Sequence, residues 1–426
     1  MASDDIIHLD GRTGEGGGQL VRIAIALASV AGKPVKITNV RGNRPGPRGG
    51  GLKSQHVTSI AWLAKATGAD VAGLEVGSKT LEFRPARGPG ELWGRNISIR
   101  AESPAASALL VFQAVLPFLL LAGNETGEPV ELAVSGGTNV SFSPSYEYID
   151  QVLLPVLEGW FGVRVERRLD ARGWSAGPAS RGSLWFRIWP VPFGEALRVK
   201  EEGLVLGSGP GDFDVRTVDV TIIAPGAMHA DLEAALRERL EDGFPGVECD
   251  FRAPEDSRHE ARIYVLLVAK SATLRWGRDL LYNGKRKGKT AEKLSEEVAR
   301  AVTRSLAEEV GAGGVVDEHL QDQLVIFQAL AEGRTSFPRS RPDSKSQGGK
   351  HPKGQEAAAI EEELDRLHIS DRLRKDWTGE PFGDPGTDST HTQTARWVTA
   401  EVLEPKLTWY NKGRVCEGIG LKSGRG

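Results

Sequence analysis

Short apolar runs alternate along the first part of the chain with longer stretches whose apolar residues recur at helical spacing. Ile6, Ile7 and Leu9 predict a strand, and Leu20, Ile23, Leu27 and Val30 predict a helix after it. The rhythm repeats. Val35 to Val40 reads as a strand, Val57, Ile60, Ala61 and Ala64 mark a helix, and strands follow near Val71 and Leu81. Val130 to Val134 predicts another strand, ahead of a helix carrying Ile149, Val152, Leu153, Val156 and Trp160. The pattern implies an α/β (α+β) fold of repeated strand-strand-helix units, with helices packed on sheets. From Ala105 to Ala122 the chain is almost wholly apolar and long enough to suggest a membrane span. Gln113 and Pro117 interrupt it and no Lys or Arg flanks it closely, so a helix buried on all sides is expected, with Gln113 in need of a polar partner.

The organisation changes further on. Residues 1–192 form the first part of a main domain, and 193–284 read as an inserted subdomain. Within it Val218 to Ile223 and Ala261 to Val268 predict strands, and Asp231 to Leu240 predicts a helix. The main domain is expected to resume over 285–332, with Ala291, Leu294, Val298, Ala301, Val302 and Leu306 on a long helix. Residues 333–387 are rich in Pro, Ser, Gly and charge and read as a mostly flexible surface insertion with a short helix-like stretch from Ala357 to Leu373. Its Arg334, Arg339, Arg341, Lys345, Lys350 and Lys353 read as a solvated loop, or as a surface that touches nucleic acid or carries a targeting signal. Residues 388–426 return to the main domain.

Composition narrows the partners. With 426 residues and a net charge of −3, no global field draws nucleic acid, so such a partner needs a local basic patch. Cys249 and Cys416 stand apart from any metal-ligand spacing, which argues against a structural zinc site or a disulfide framework and fits a reducing compartment. The acidic start, Met1 to Asp5, is unlike a signal peptide.

Four stretches could carry chemistry. Asp10-Gly11-Arg12-Thr13-Gly14-Glu15-Gly16-Gly17-Gly18-Gln19-Leu20-Val21-Arg22 places one carboxylate among glycines where a helix begins. Glycines let backbone N–H groups approach an anion and the helix N-terminus favours it, while Glu15 makes sense as a ligand to a divalent ion shared with phosphates. The stretch is neither a Walker loop nor a dinucleotide fingerprint, and a plain tight turn is the alternative. Arg41, Arg44 and Arg48, on a glycine-proline loop that leads to Gln55-His56, suit phosphate oxygens or a solvated loop. In Asp317 to Leu324, His319, Asp322 and Gln323 share one helical face, able to hold a nucleoside or simply to meet solvent, while Leu320, Leu324 and Phe327 face the core. His391 opens the last predicted helix after Asp388, Ser389 and Thr390, all able to cap it. The positive helix end would keep its imidazole neutral and nucleophilic, unless it serves only in the cap.

Taken together, these pieces resemble the RNA 3′-terminal phosphate cyclases. The matching elements are the stretch from Asp10 to Arg22, Val40-Arg41-Gly42-Asn43-Arg44 with Gln55-His56, and Gly77-Ser78-Lys79-Thr80-Leu81-Glu82-Phe83. To these are added Gln113 in its apolar helix, Ser135-Gly136-Gly137-Thr138, Glu318 to Leu324, and His391-Thr392-Gln393-Thr394. The resemblance implies a ligase that uses ATP and a divalent metal, Mg²⁺ or Mn²⁺, to turn an RNA 3′-terminal phosphate into a 2′,3′-cyclic phosphodiester through a histidyl-AMP and an RNA-adenylate. It implies His391 as nucleophile and Glu15 as metal ligand. It puts Gln113 near the nucleotide phosphates, Pro144, Tyr148 and His319 around the adenine, and Asp322 and Gln323 near the ribose. Arg22, Arg41, Arg44 and Gln55 would receive the RNA phosphate. A partner RNA with a 3′-phosphate end is implied, with no membrane and no DNA partner, in the nucleoplasm, with the cytoplasm as a second place.

Two departures stand out. Where the family often carries Arg-Gly-x-x-Pro-x-Gly-Gly-Gly, this chain has Arg172-Gly173-Trp174-Ser175-Ala176-Gly177-Pro178-Ala179-Ser180, and the loop after Arg44 is longer. The alternative is a non-catalytic cyclase-like ribosome-biogenesis factor, against which His391 argues. A third reading, the enolpyruvyl transferases, shares the architecture but not these motifs.

Overall fold

The computed structural model describes residues 6–44, 49–104, 106–200, 206–207, 211–282, 288–339, 373–384 and 386–424. Arg48, Arg341, Lys345, Lys350, Lys353 and nearly all of the expected helix-like stretch at 357–373 lie outside them.

Two complete repeats and a third, split one make up the body. In the first, β1 (Ile7–Asp10), α1 (Gly18–Ala31), β2 (Val35–Thr38), α2 (Ser54–Thr67), β3 (Asp70–Ala72) and β4 (Leu81–Arg84) follow in order. The sheet runs β1-β2-β4-β3, with β1 and β2 parallel and the other neighbours antiparallel. The second repeat has β5 (Asn96–Arg100), α3 (Ala108–Leu120), β6 (Val130–Gly136), α4 (Tyr146–Tyr148), a π-helical turn (Ile149–Leu153), α5 (Leu154–Phe161), β7 (Arg164–Ala171) and β8 (Gly182–Trp189). Its order, β5-β6-β8-β7, and its strand senses reproduce the first. Each unit thus carries four strands with two helical segments, a larger repeat than the strand-strand-helix expected from periodicity.

The inserted unit contains β9 (Thr217–Ala224), α6 (His229–Gly243), β10 (Glu248–Phe251), β11 (Glu255–Asp256), β12 (Tyr264–Lys270) and β13 (Arg275–Leu281). Helix α7 (Ala291–Gly311) packs against α6, β12 and β13. The long helix expected in the resumed main domain therefore lies on the inserted sheet. Its apolar stripe, Leu294, Val298, Val302 and Leu306, is buried.

The third repeat comprises α8 (Glu318–Leu330), β14 (Glu332–Thr335), α9 (Thr390–Leu403), β15 (Thr408–Tyr410) and β16 (Val415–Ile419), in sheet order β14-β16-β15. Its missing first strand is supplied from before the insertion, where Arg198 bridges in parallel to Glu332 and Leu197 O accepts from Glu332 N at 2.7 Å. The stretch expected to be flexible from residue 333 onward therefore begins folded. β14 pairs with β16, Phe337 is buried beside Trp160 and Phe161, and Arg339 is bound to Glu309. At the other end, Asp376 accepts from the backbone N–H groups of Lys412 and Gly413.

The helices pack together between the sheets. α3 is apolar all round because it lies between α1 and α2 on one side and β6 and β8 on the other, with Phe112 stacked on Phe186 at 4.1 Å. No helix among the described residues is long and apolar enough to cross a membrane.

Candidate active site

The N-terminal ends of α1, α2, α3, α8 and α9 converge on a cavity of about 980 Å³. Every site residue expected from sequence lines it: Glu15, Arg22, Arg41, Arg44, Gln55, Gln113, Pro144, Tyr148, His319, Asp322, Gln323 and His391.

Helix α9 starts where Ser389 Oγ accepts from Thr392 N at 3.1 Å, so Ser389 is the cap. His391 then points into the cavity, and its ring is bonded through Nδ1 to Gln19 Oε1 at 2.8 Å. Gln19 is oriented by a second bond, from its Nε2 to Asp322 Oδ2 at 2.7 Å. With the amide nitrogen committed to the carboxylate, its oxygen meets His391, which makes Nδ1 the donor and leaves Nε2 with a free lone pair. Nε2 lies 3.9 Å from Glu15 Oε1. Burial, followed by the charges of Arg22 and Arg44, pushes the His391 pKa down to about 4, so the ring is neutral at pH 7. The sequence argument from the helix end had the right direction, but desolvation and arginines are the causes found.

Glu15 is held by backbone and by charge. Its N–H donates to Thr394 Oγ1 at 2.9 Å, and Gly14, at φ +65°, sits so close that a β-carbon would meet the same hydroxyl. Only 5% of the Glu15 side chain is exposed, and Arg44 is its ion-pair partner. Neither buried oxygen accepts a hydrogen bond of ordinary geometry. Among the described residues no three metal-ligating side chains gather. A single buried carboxylate facing this cavity fits Mg²⁺ or Mn²⁺, which bind through one or two carboxylates and complete their shells with phosphate oxygens and water.

The basic wall comes from α1 and the loop between β2 and α2. Arg22 is enclosed, its pKa lowered to about 10 by burial, with Asp322 opposing and Arg41 reinforcing the shift. Arg41, at φ +54°, spends part of its fork on Gly49 O at 2.7 Å. His56 follows Gln55 in α2. Its Nδ1 accepts from Lys53 N at 3.1 Å, so Nε2 carries the proton, and this buried Nε2 has no partner. Burial, Arg22, Arg41 and Lys53 keep the ring neutral.

The opposite wall is built on α8. Asp317 caps it, accepting from His319 N and Leu320 N at 2.9 Å each and from Tyr148 Oη at 2.7 Å. Tyr148 is buried and stands edge-on to His319, with centroids 6.2 Å apart. Gln113 finds the partner its buried helix demanded: its Nε2 donates to Gln323 Oε1 at 2.6 Å, and Gln323 Nε2 donates to His319 O at 2.7 Å. Burial raises the pKa of Asp322 to about 7. Pro144 lines the same cavity as Tyr148. The inserted unit contributes Asp279 and Leu281 from β13, which no local sequence pattern marked.

Two further residues escaped the sequence reading of roles. Gln19 stood inside the glycine-rich stretch without a role, although positions 19, 22 and 23 share one face of α1, the signal that could have found it. His56 was visible only as the neighbour of Gln55. The unusual loop at 172–180 is structural: Arg172 bridges Glu147 and Glu255, and Gly173 O accepts from Thr138 N at 2.9 Å, bracing the Ser135-Gly136-Gly137-Thr138 turn.

The family model for RNA 3′-terminal phosphate cyclase matches residues 13–348. An RNA 3′-terminal phosphate cyclase of Methanosarcina mazei is 36% identical over 341 residues, 78% of this chain and 89% of the relative. Relatives of the same name from Hyperthermus butylicus and Drosophila melanogaster are 34% and 30% identical, each covering 79% of this chain and 87% of their own length. The chain belongs to the RNA 3′-terminal phosphate cyclase family, a family of ligase-class enzymes.

Proposed function

We propose that this family member converts an RNA 3′-terminal phosphate to a 2′,3′-cyclic phosphodiester at the expense of ATP, with His391 as the nucleophile. The observation that carries the reading is the Asp322–Gln19–His391 chain of hydrogen bonds, which presents an unprotonated Nε2 to the cavity. His391 lies beyond the span of the family match, so its role rests on this geometry and on the motif around it.

Nε2 attacks the α-phosphorus of ATP, a P–N bond forms, and the P–O bond to the β-phosphate breaks with loss of pyrophosphate. An oxygen of the RNA 3′-phosphate then takes the AMP, which frees His391. The adjacent 2′-hydroxyl attacks the RNA phosphorus, loses its proton, closes the ring and expels AMP. Adenylation is needed because an unactivated phosphate oxygen is a poor leaving group.

The adenine fits against His319 and Pro144 over Tyr148, with the ribose near Asp322 and Gln323 and the phosphates near Gln113. Arg22, Arg41, the unpartnered His56 Nε2–H and Gln55 form the receiving site for the RNA phosphate. Arg44, 44% exposed in its side chain, neutralises Glu15 and is placed to turn toward that phosphate. A cation on Glu15 would supply charge neutralisation at the phosphates.

ATP labelled at the α-phosphate should label the protein through an acid-labile, alkali-stable bond, and His391→Ala should abolish the label. Persistent labelling of that variant moves the nucleophile elsewhere; an unlabelled wild-type protein overturns the enzymatic reading in favour of an assembly role.

A further inference from the structure

We propose that Phe142 is a stacking platform for a base near the 3′ end of the RNA, an assignment that rests on the RNA reading above. Phe142 lines the same cavity as Arg22, Arg41 and His391, yet its relative exposure is 103%. Its φ is +61°, a left-handed conformation that a bulky L residue adopts only when its surroundings impose it.

The surroundings do impose it. On one side Val140 is buried, and Ser141 N donates to Ser175 Oγ at 3.3 Å. On the other, Ser143 Oγ is bonded to Ser107 Oγ, and Ser145 caps α4 while bonded to Tyr264 Oη at 2.6 Å. Both flanks are pinned, and the ring between them is held out into solvent at the cavity rim.

The occupant follows from the neighbours. Serines on either side deny Phe142 the contiguous apolar patch that a protein partner needs. The adenine surfaces, His319 and Pro144 over the buried Tyr148, belong to the cavity wall. A ring at the rim of an arginine-lined cavity matches single-stranded nucleic acid, whose phosphates take the cations and whose bases stack on an aromatic face without sequence preference.

The test uses 3′-phosphorylated oligouridylates carrying 2-aminopurine at the last, second-last or third-last position. Wild-type protein should quench one of these positions. Phe142→Ala should lose that quenching and bind the RNA roughly tenfold more weakly, and Phe142→Trp should restore both. An abasic site at the quenched position should weaken the wild-type protein by the same factor and leave Phe142→Ala unaffected. Equal quenching and affinity in Phe142→Ala overturns the stacking role alone, and so does a loss of ATP affinity instead of RNA affinity. A wild-type protein that labels on His391 but does not bind the RNA overturns the RNA reading and the stacking role together.

Discussion

The backbone N–H of Glu15 donates to Thr394 Oγ1 at 2.9 Å, across 379 residues of chain. This bond fastens the glycine-rich loop of the first repeat to α9 of the third, the helix that carries His391. Thr394 Oγ1 also donates to Thr390 O at 2.6 Å, so the hydroxyl both accepts and donates. Thr394→Val should cost about 1–3 kcal/mol of stability by leaving the Glu15 N–H unpaired. Thr394→Ser should recover most of it. Urea unfolding of both variants checks the pair, and equal stability of Thr394→Val and wild type would show that the bond contributes nothing.

Glu15→Gln keeps the shape of the side chain and removes its charge. If Glu15 binds the cation, half-maximal label uptake should need on the order of tenfold more metal, in keeping with lost charge at a Mg²⁺ ligand. A metal titration of adenylation gives the answer. An unshifted curve removes Glu15 as the ligand.

His391 should titrate in the free protein with a midpoint near pH 4, seen in the NMR shifts of its ring. The sign follows from linkage: a folded pKa below the ordinary 6.5 means that the unfolded chain gains the proton first. Stability attached to this ring is present above pH 6.5 and is lost as pH falls toward 4. Arg22→Ala should raise the midpoint only in part, since burial is the leading cause. A wild-type midpoint near 6.5 would contradict the enclosed, neutral ring.

Gln19→Leu removes the acceptor that fixes the His391 tautomer. Adenylation at saturating ATP should slow by on the order of tenfold to a hundredfold, the scale of losing an orienting partner of a working imidazole. The KM for ATP should move less, because Asp322 loses only its bond from Gln19 while the proposed adenine surfaces at His319 and Pro144 keep their contacts. A rise in KM with unchanged kcat would make Gln19 a binding residue.

Glu309, 1% exposed in its side chain, lies between Arg278 and Arg339, and Arg339 also donates to Thr387 O at 3.0 Å, just ahead of α9. Glu309→Gln removes the buried partner of both arginines and leaves them only the half-buried Glu318, 3.2 Å from Arg278 and 3.3 Å from Arg339. It should destabilise the protein by about 3–5 kcal/mol, measurable by thermal or denaturant unfolding.

Periodicity revealed the elements that bury one clean face. The runs at Ile7, Val35 and Val130 became strands, and the apolar stretch around Gln113 became the enclosed α3. Most of the cavity was also legible, because His319, Asp322 and Gln323 occupy one turn and His391 follows a capping sequence. β14 was not visible, since Glu332-Gly333-Arg334-Thr335 has no apolar alternation and becomes a strand only by pairing with β16. The company of α7 was hidden for a related reason: an amphipathic stripe says that a helix is covered, never by which sheet. Asp279 reaches the cavity from the inserted unit, a contact set by tertiary packing alone.

The split third repeat has a consequence for the order in which the protein becomes able to react. Synthesis runs from the N-terminus, so Glu15, Arg22 and Gln113 can take their places in the first two repeats while the third is still unmade. Thr394, which fastens the Glu15 loop, and His391, which would attack the nucleotide, arrive on the same helix among the last elements of the fold. A nascent chain on the ribosome therefore has the cavity wall of Arg22 and Gln113 before it has His391. On the proposed reading, in which His391 is the nucleophile, its ring can meet ATP only after the third repeat has closed.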